Sequence, residues 1–304
     1  MKIFPLQIIP NDTSFDFIKL RKYTYALSLI VILLGIFFIF FKQANIGVEF
    51  TGGTHVEIEF KNKVPDINEI RSVILKRGII CNTKSIGKKG VLFQIQGSNL
   101  DVSNKKIEDL KVIFQKKFSK YDVNYYNIEF VGPQVTNFLI FSCIKSVLLT
   151  LIGISIYVWL RFKFYFGITA FLTLLHNLLI TFFFLYFFNL EISQSTIAAF
   201  LILLGYSIND SIVIYDNIQR TMQRSFTFIL YDVLNLSINK TLSRTFYTSL
   251  TTLIANLVII FFGGKAIFDF GLTIFIGICV GTYTSIMFSA PLLYDTKKLL
   301  YSKS

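Results

Sequence analysis

Six runs of mostly apolar residues divide this chain, and each is long enough to cross a bilayer, whose hydrocarbon core of about 30 Å takes about 20 helical residues. They fall at Tyr23 to Phe41, Phe138 to Leu160, Phe164 to Phe188, Ile192 to Tyr215, Thr245 to Phe262 and Ala266 to Tyr294. Inside lipid every backbone N–H and C=O must be paired within the protein, so such runs form helices. The chain therefore reads as a membrane α-helical protein with six transmembrane helices. Composition agrees: 53% of the 304 residues are hydrophobic and 16% are charged, where soluble domains carry about 25% charged residues. The formal net charge of +12 raises the class of nucleic-acid binders. The Lys and Arg residues, however, cluster beside apolar runs or scatter through one polar region, so they are read as topology signals and no nucleic-acid partner is expected.

Positive residues in short loops stay on the cytoplasmic side. Arg161 and Lys163 separate the second and third runs; Arg220, Arg224, Lys240 and Arg244 lie between the fourth and fifth; Lys297, Lys298 and Lys303 follow the sixth. The other short loops hold Glu191 and, as their one basic residue, Lys265. Both termini are therefore predicted to be cytoplasmic. The first run follows Lys19, Arg21 and Lys22 with no small-residue cleavage site after it, the pattern of an uncleaved signal anchor. The expected layout is a cytoplasmic N-terminus over 1–22, a span over 23–41 and an extracytoplasmic domain over 42–135. A five-helix membrane region follows over 136–294, with spans at 138–160, 164–188, 192–215, 245–262 and 266–294, a cytoplasmic loop at 216–244 and a tail at 295–304.

Within the outer segment, Val56, Ile58 and Phe60 alternate with His55, Glu57 and Glu59, which predicts a strand over Thr54 to Phe60. Ile67, Ile70, Val73 and Ile74 fall on one face of a helix over Asp66 to Arg77, with Gly78 just past its end. Strands over Ile79 to Ile86 and Val91 to Gln96, a helix over Ser103 to Phe118 and a strand over Asp122 to Phe130 complete a βαββαβ order, the α+β ferredoxin-like split unit. Cys81 stands alone there, while Cys143 and Cys279 fall in apolar runs, so no disulfide pair is available within the domain. No Cys/His cluster suggests a metal, and no cofactor is expected.

A charge in mid-bilayer costs about 2.5 to 3.5 kcal/mol on insertion scales, so an intramembrane ionisable residue is a functional candidate. Asp210 is the clearest case, within the small and polar island Gly205, Tyr206, Ser207, Ile208, Asn209, Asp210, Ser211 of the fourth run. Burial favours its neutral acid and a nearby cation its carboxylate, so a small change in geometry would move a proton on or off. The alternative is a structural Asp bonded to neighbouring hydroxyls. In the fifth run Thr241, Thr245, Thr248, Thr252 and Asn256 recur at three- and four-residue spacing as a polar stripe beginning near Arg244. Adjacent spans run antiparallel, which places Arg244 and Asp210 in the same third of the bilayer; Arg244 otherwise only snorkels to the surface. His176 beside Asn177 reads as hydrogen-bonded packing, Lys145 as reaching the outer interface and Asp216 as solvated. Gly277, Gly281, Ser285 and Ser289 recur every fourth residue in the sixth run, and Ser142, Ser146 and Thr150 do so in the second, the spacing of close helix packing. Phe226, Ile229, Leu230, Val233 and Leu234 suit an amphipathic helix lying at the cytoplasmic interface.

The fourth run, AAFLILLGYSINDSIVIYDNI from Ala198 to Ile218, closely resembles the signature of the SecF family, membrane subunits of bacterial protein export within the resistance-nodulation-division (RND) superfamily. GVEFTGG, with Gly47, Gly52 and Gly53, is similar to the family's glycine motif, with Glu49 where Asp is usual; VGPQV, with Gly132 and Pro133, is similar to the motif opening the second span. SINKTLSRTFYTSLTTL from Ser237, the pair Gly263 and Gly264, and GTYTS from Gly281 match the last third, so the resemblance covers essentially the whole chain. His176-Asn177 departs from the family's usual His-Asp. The resemblance implies a multi-pass protein of the bacterial inner membrane that partners SecD and uses the proton motive force to finish translocation of preproteins delivered through SecYEG. It implies relay roles for Asp210 and Arg244. An RND-type exporter of solute or lipid is the alternative, though the outer region is small for it, and an uncoupled scaffold is a third. An enzyme is disfavoured: no second buried Asp, no Ser/His arrangement and no glycine-lysine nucleotide loop are evident.

Overall fold

The structure, a computed structural model, describes residues 10, 13–42, 44–61, 65–75, 77, 81–86, 90–95, 100–118, 121, 123–224, 229–264 and 267–301. The expectations placed on Gly78, Ile79, Gln96, Asp122, Phe226, Lys265 and Ala266 lie outside these residues. In chain order the elements are α1 (Arg21–Phe41), α2 (Val48–Thr51), β1 (Gly53–Phe60), α3 (Ile67–Leu75), β2 (Cys81–Ile86), β3 (Gly90–Ile95), α4 (Leu100–Lys117), β4 (Val123–Val131), α5 (Pro133–Arg161), α6 (Phe164–Phe188), α7 (Gln194–Arg224), α8 (Leu230–Phe262) and α9 (Phe268–Tyr283). A π-helical segment (Thr284–Ser289) leads directly into α10 (Ala290–Tyr301). Among the described residues six helical stretches are long and apolar enough to span a membrane, the last running from Phe268 to Leu299 through α9, the π segment and α10. The chain divides into one unit of residues 1–45 and 145–304 and another of residues 46–144.

In the smaller unit the strands form one antiparallel sheet in the order β2-β3-β1-β4. Period-two alternation puts Val56, Ile58 and Phe60 of β1 and Val91, Phe93 and Ile95 of β3 on a single face, all fully buried. That face packs against Ile70 and Ile74 of α3 and Leu110 and Phe114 of α4 in one core. Phe60, Phe93, Phe114 and Phe118 meet at centroid distances of 5.3 to 6.1 Å. The register shifts between Glu57 and Ile58, which pair with Asn127 and Tyr125 and leave Tyr126 of β4 as the extra residue of a bulge.

In the larger unit α6 is the most enclosed helix, with 56% of its spanning stretch buried, against 6% of α5. One core joins Leu174 of α6, Ile214 and Tyr215 of α7 and Leu293 of α10 to Val233, Leu234 and Ile238 of α8. These last three residues revise the amphipathic helix expected at the interface. No Gly or Pro interrupts Leu230 to Arg244, so the stretch is the first four turns of α8 and not a separate surface helix. Its apolar side is covered from within the chain by Phe17 and Ile18, both buried. Polar bonds fasten this N-terminal strap: the Tyr231 hydroxyl donates to both Asp16 carboxylate oxygens at 2.6 Å. Asn235 donates to Asp16 at 2.9 Å and accepts from the Ile18 N–H at 3.1 Å, and Asn239 pairs with both backbone groups of Phe15.

Candidate functional site

The fourth span sorts its residues by side. Ser207, Asp210, Ser211, Ile214 and Ile218 of α7 are buried, while Ala198, Ile202, Gly205 and Asn209 form an exposed stripe along the same helix, as a 3.6-residue repeat dictates. A Cβ added at Gly205 would meet nothing within 4 Å. Asp210 is 5% exposed, and its carboxylate makes no hydrogen bond or ion pair of standard length among the described residues. Arg244, exposed on α8, makes no ion pair with that carboxylate among the described residues.

The polar stripe beginning near Arg244 divides by partner. Thr241 bonds Ser237 O at 3.0 Å, Thr248 bonds Arg244 O and Thr245 O at 3.0 Å, and Thr252 bonds Thr248 O at 2.9 Å. These hydroxyls serve their own helix. Two others cross to α9: Ser249 Oγ lies 2.7 Å from Thr282 Oγ1, and Asn256 Nδ2 donates to Gly271 O at 2.8 Å. Thr245 is buried between these sets, and Tyr206 is half-buried, its hydroxyl without a hydrogen-bond partner among the described residues.

A second polar junction forms where α6, α7 and the last span meet. The His176 ring stacks on Phe288 with centroids 4.0 Å apart and planes inclined by 10°, and its Nδ1 lies 3.5 Å from Thr284 Oγ1. His176 Nε2, Asn177 Oδ1 and Ser207 Oγ are buried without hydrogen-bond partners among the described residues. Gly281 permits the approach, since a Cβ there would stand 3.1 Å from Asn177 Nδ2 and 3.4 Å from Ser207 Oγ. Gly277 likewise admits the side chain of Leu203, with which a Cβ would collide. One turn further along, the Tyr215 hydroxyl and Ser289 Oγ are 2.8 Å apart.

The π segment keeps the small residues aligned. In an α-helix a four-residue repeat drifts by about 40° per step, and the wider turns of an i→i+5 helix cancel part of that drift. Gly277, Gly281, Ser285 and Ser289 are accordingly all buried. The four-residue spacing was a visible signal for this packing; the unwinding was not.

The glycine motifs fall into two places. In the smaller unit Gly47 is buried and accepts the N–H groups of Phe50 and Thr51. Gly52 and Gly53 adopt φ of 68° and 110°, and Gly53 pairs with Val131 just before Gly132 and Pro133. The segments GVEFTGG and VGPQV are therefore joined at one sheet end. In the larger unit the Gly263 N–H closes α8 onto Ile259 O at 2.8 Å and Gly264 turns the chain at φ 71°.

Two features had no counterpart in the sequence reading: the strap around Asp16 and the exposed stripe at Gly205 and Asn209. The strap's signal was the pair Asn235 and Asn239, four residues apart on one helical face.

These features define a polytopic membrane protein with ionisable and amide side chains inside its own helix bundle. Residues 111–299 match the family model described as "Protein export membrane protein SecD/SecF, C-terminal", and residues 37–64 match the "SecD/SecF GG Motif". Over 295 residues the chain is 39% identical to the protein translocase subunit SecF of Rickettsia rickettsii, covering 96% of this chain and 95% of that one. It is 38% identical to the SecF of Rickettsia bellii, with 96% and 97% covered. The crystal structure of SecDF from Thermus thermophilus, described as a translocon-associated membrane protein, superposes with a TM-score of 0.85 at 32% identity, and the chain spans 40% of that longer protein. A super-membrane-facing form of SecDF superposes with a TM-score of 0.69 at 29% identity, over 98% of this chain and 40% of that one. The chain belongs to the SecD/SecF family of protein-export membrane proteins.

Proposed function

We propose that this chain is the proton-coupled half of an export motor: with SecD it draws on the proton motive force to complete translocation of preproteins delivered through SecYEG. The reading rests on one observation, the buried Asp210 carboxylate with no hydrogen bond or ion pair among the described residues. A charge held so in hydrocarbon is costly and uncompensated, and the cost has a use if the group gains and loses a proton. A ligand shifts a conformational equilibrium only by its unequal affinity for two states. Here the ligand is the proton, and the two states differ in how closely Arg244 approaches.

The partner reading is supported by the exposed stripe of Ala198, Ile202, Gly205 and Asn209 on the helix that holds Asp210, a face that a membrane-embedded neighbour would cover. It is supported too by the longer SecDF chain, of which this one spans 40%. By the distribution of Lys and Arg both termini are cytoplasmic, in the inner membrane, and residues 42–135 form an extracytoplasmic domain. Its element order with a β2-β3-β1-β4 sheet supports a ferredoxin-like fold.

The test is translocation-dependent proton uptake in vesicles holding this chain, SecD and SecYEG. Asp210→Asn, of the same size and unable to ionise, is expected to abolish uptake and the stimulation of export by a proton gradient. Uptake equal to that of the unaltered protein would remove Asp210 from the mechanism.

A further inference from the structure

On the side of the helix bundle opposite the Arg161 and Lys163 turn, α6 ends at Phe188 and the chain reaches α7 through residues 189–193. Asn189 stops α6 in the left-handed region at φ 58°, and the Leu190 N–H returns to Leu185 O at 3.0 Å, a helix ending that Asn tolerates next best to Gly. The turn is thereby fixed at its start. Its end is fixed by α7, where the Thr196 hydroxyl donates to Glu191 O at 2.7 Å.

Two distant parts of the chain are bonded to this turn and to the end of α6. One is the segment that leaves α1. Asn45 Nδ2 donates to Asn189 O at 3.1 Å, and the Ile192 N–H donates to Asn45 O at 2.8 Å. Lys42 Nζ donates to Phe187 O at 2.9 Å, and the Tyr186 hydroxyl donates to Lys42 O. Asn45 is the last residue before the smaller unit, which begins at Ile46. The other part is the first turn of α9, where Asp269 Oδ2 accepts the Glu191 N–H at 3.2 Å. Asp269 is itself held, its carbonyl accepting the Thr273 hydroxyl at 2.6 Å.

These bonds lead to the helix of Asp210 by two routes. Ile192 lies just ahead of α7, which begins at Gln194, and α9 runs against α7 where Gly277 admits Leu203 and Gly281 approaches Ser207. The α1 helix itself meets α6, with Gly35 against the Phe183 ring, so it is the turn that joins the end of α1 to α7 and α9. Rigid helices and hydrogen-bond networks are what carry a displacement from one site to another. We propose that the 189–193 turn is a coupling element, which hands displacement of α7 and α9 to the chain at residue 46, with Asp269 as the positioning residue that fastens α9 to it. The inference rests on the proton-coupled reading of Asp210 and adds the point at which the change leaves the helix bundle. Asp269 serves in it as a hydrogen-bond acceptor and not as a charge.

The readout is a ratio, preprotein exported per proton taken up, in vesicles holding this chain, SecD and SecYEG. A variant that merely folds poorly lowers both quantities and leaves their ratio alone. Asp269→Ala removes the acceptor, and the ratio should fall by roughly tenfold, while hydrogen exchange at the Glu191 N–H should quicken by a similar factor, as expected for a bond to a carboxylate. Asp269→Asn removes the charge but keeps an acceptor oxygen, and should hold both near the values of the unaltered protein. An unchanged ratio in Asp269→Ala with faster exchange would show a turn that is fastened but does not transmit, and would overturn the proposal. Unchanged exchange would overturn it as well, and so would an Asp269→Asn variant whose ratio fell, since the charge would then be what matters. Uptake that persisted in Asp210→Asn would instead remove the proton-coupled reading on which the proposal stands.

Discussion

Gly52 shows how one residue conditions a unit. At φ 68° a side chain is strained, and its Cβ would also press on Thr136 Oγ1 at 3.2 Å. Left-handed backbone costs an L-residue roughly 1–2 kcal/mol, so Gly52→Ala should destabilise the smaller unit by about that amount. Cys81 reports it. Burial pushes that thiol up to about 11, with Arg71 opposing weakly, so at neutral pH it is protonated and shielded and reacts only when the unit opens. Maleimide labelling of Cys81 in Gly52→Ala should run about tenfold faster than in the unaltered protein, and an unchanged rate would show that the strain is relieved elsewhere. The sequence marked Gly52 through its motif, and Asp210 through its setting in an apolar run. It did not reveal that the Thr248 and Thr252 hydroxyls bond their own helix, because spacing specifies a side and not a partner.

Among the elements, the N-terminal strap against α8 responds to pH. Chiefly the Tyr231 hydroxyl, helped by the Lys19 N–H and Asn235, holds the Asp16 carboxyl below its ordinary 3.8, against desolvation, the second-largest effect. A carboxyl lowered in the docked state stabilises docking at pH above its free value, and the contribution is lost as pH falls through the docked value. The strap should therefore stay docked at neutral pH and loosen in the acid range below about 4. Hydrogen exchange at Phe15 and Ile18 would follow this. Asp16→Asn should exchange faster at neutral pH and lose the acid transition, and a transition that persists in that variant would assign it to another group. This contact was hidden in the sequence because 224 residues separate Phe15 from Asn239, and local periodicity carries no information about such a pairing.

At the scale of the whole molecule, the helices differ most in how far the chain covers them. Two glycines, buried Gly277 and exposed Gly205, separate self-packing from assembly. Gly277→Leu would drive a side chain into Leu203, overpacking that costs roughly 1–3 kcal/mol, and should lower the yield of folded protein in detergent. Gly205→Leu meets open space, and should leave this chain folded yet reduce its recovery with SecD, the proposed partner, after gentle solubilisation. Full recovery would place the partner on another face. The six spans and the βαββαβ order were legible in the residues because a bilayer demands long apolar runs and a half-buried strand demands alternation. What only the tertiary structure decided was which side of each span turns inward, that α8 begins at Leu230 and that the last span unwinds at Thr284–Ser289. The physical reason is that lipid and protein interior are equally apolar, so a transmembrane helix can be greasy on every side. Its inward face is then selected by small-residue fit and buried polar contacts across distant parts of the chain.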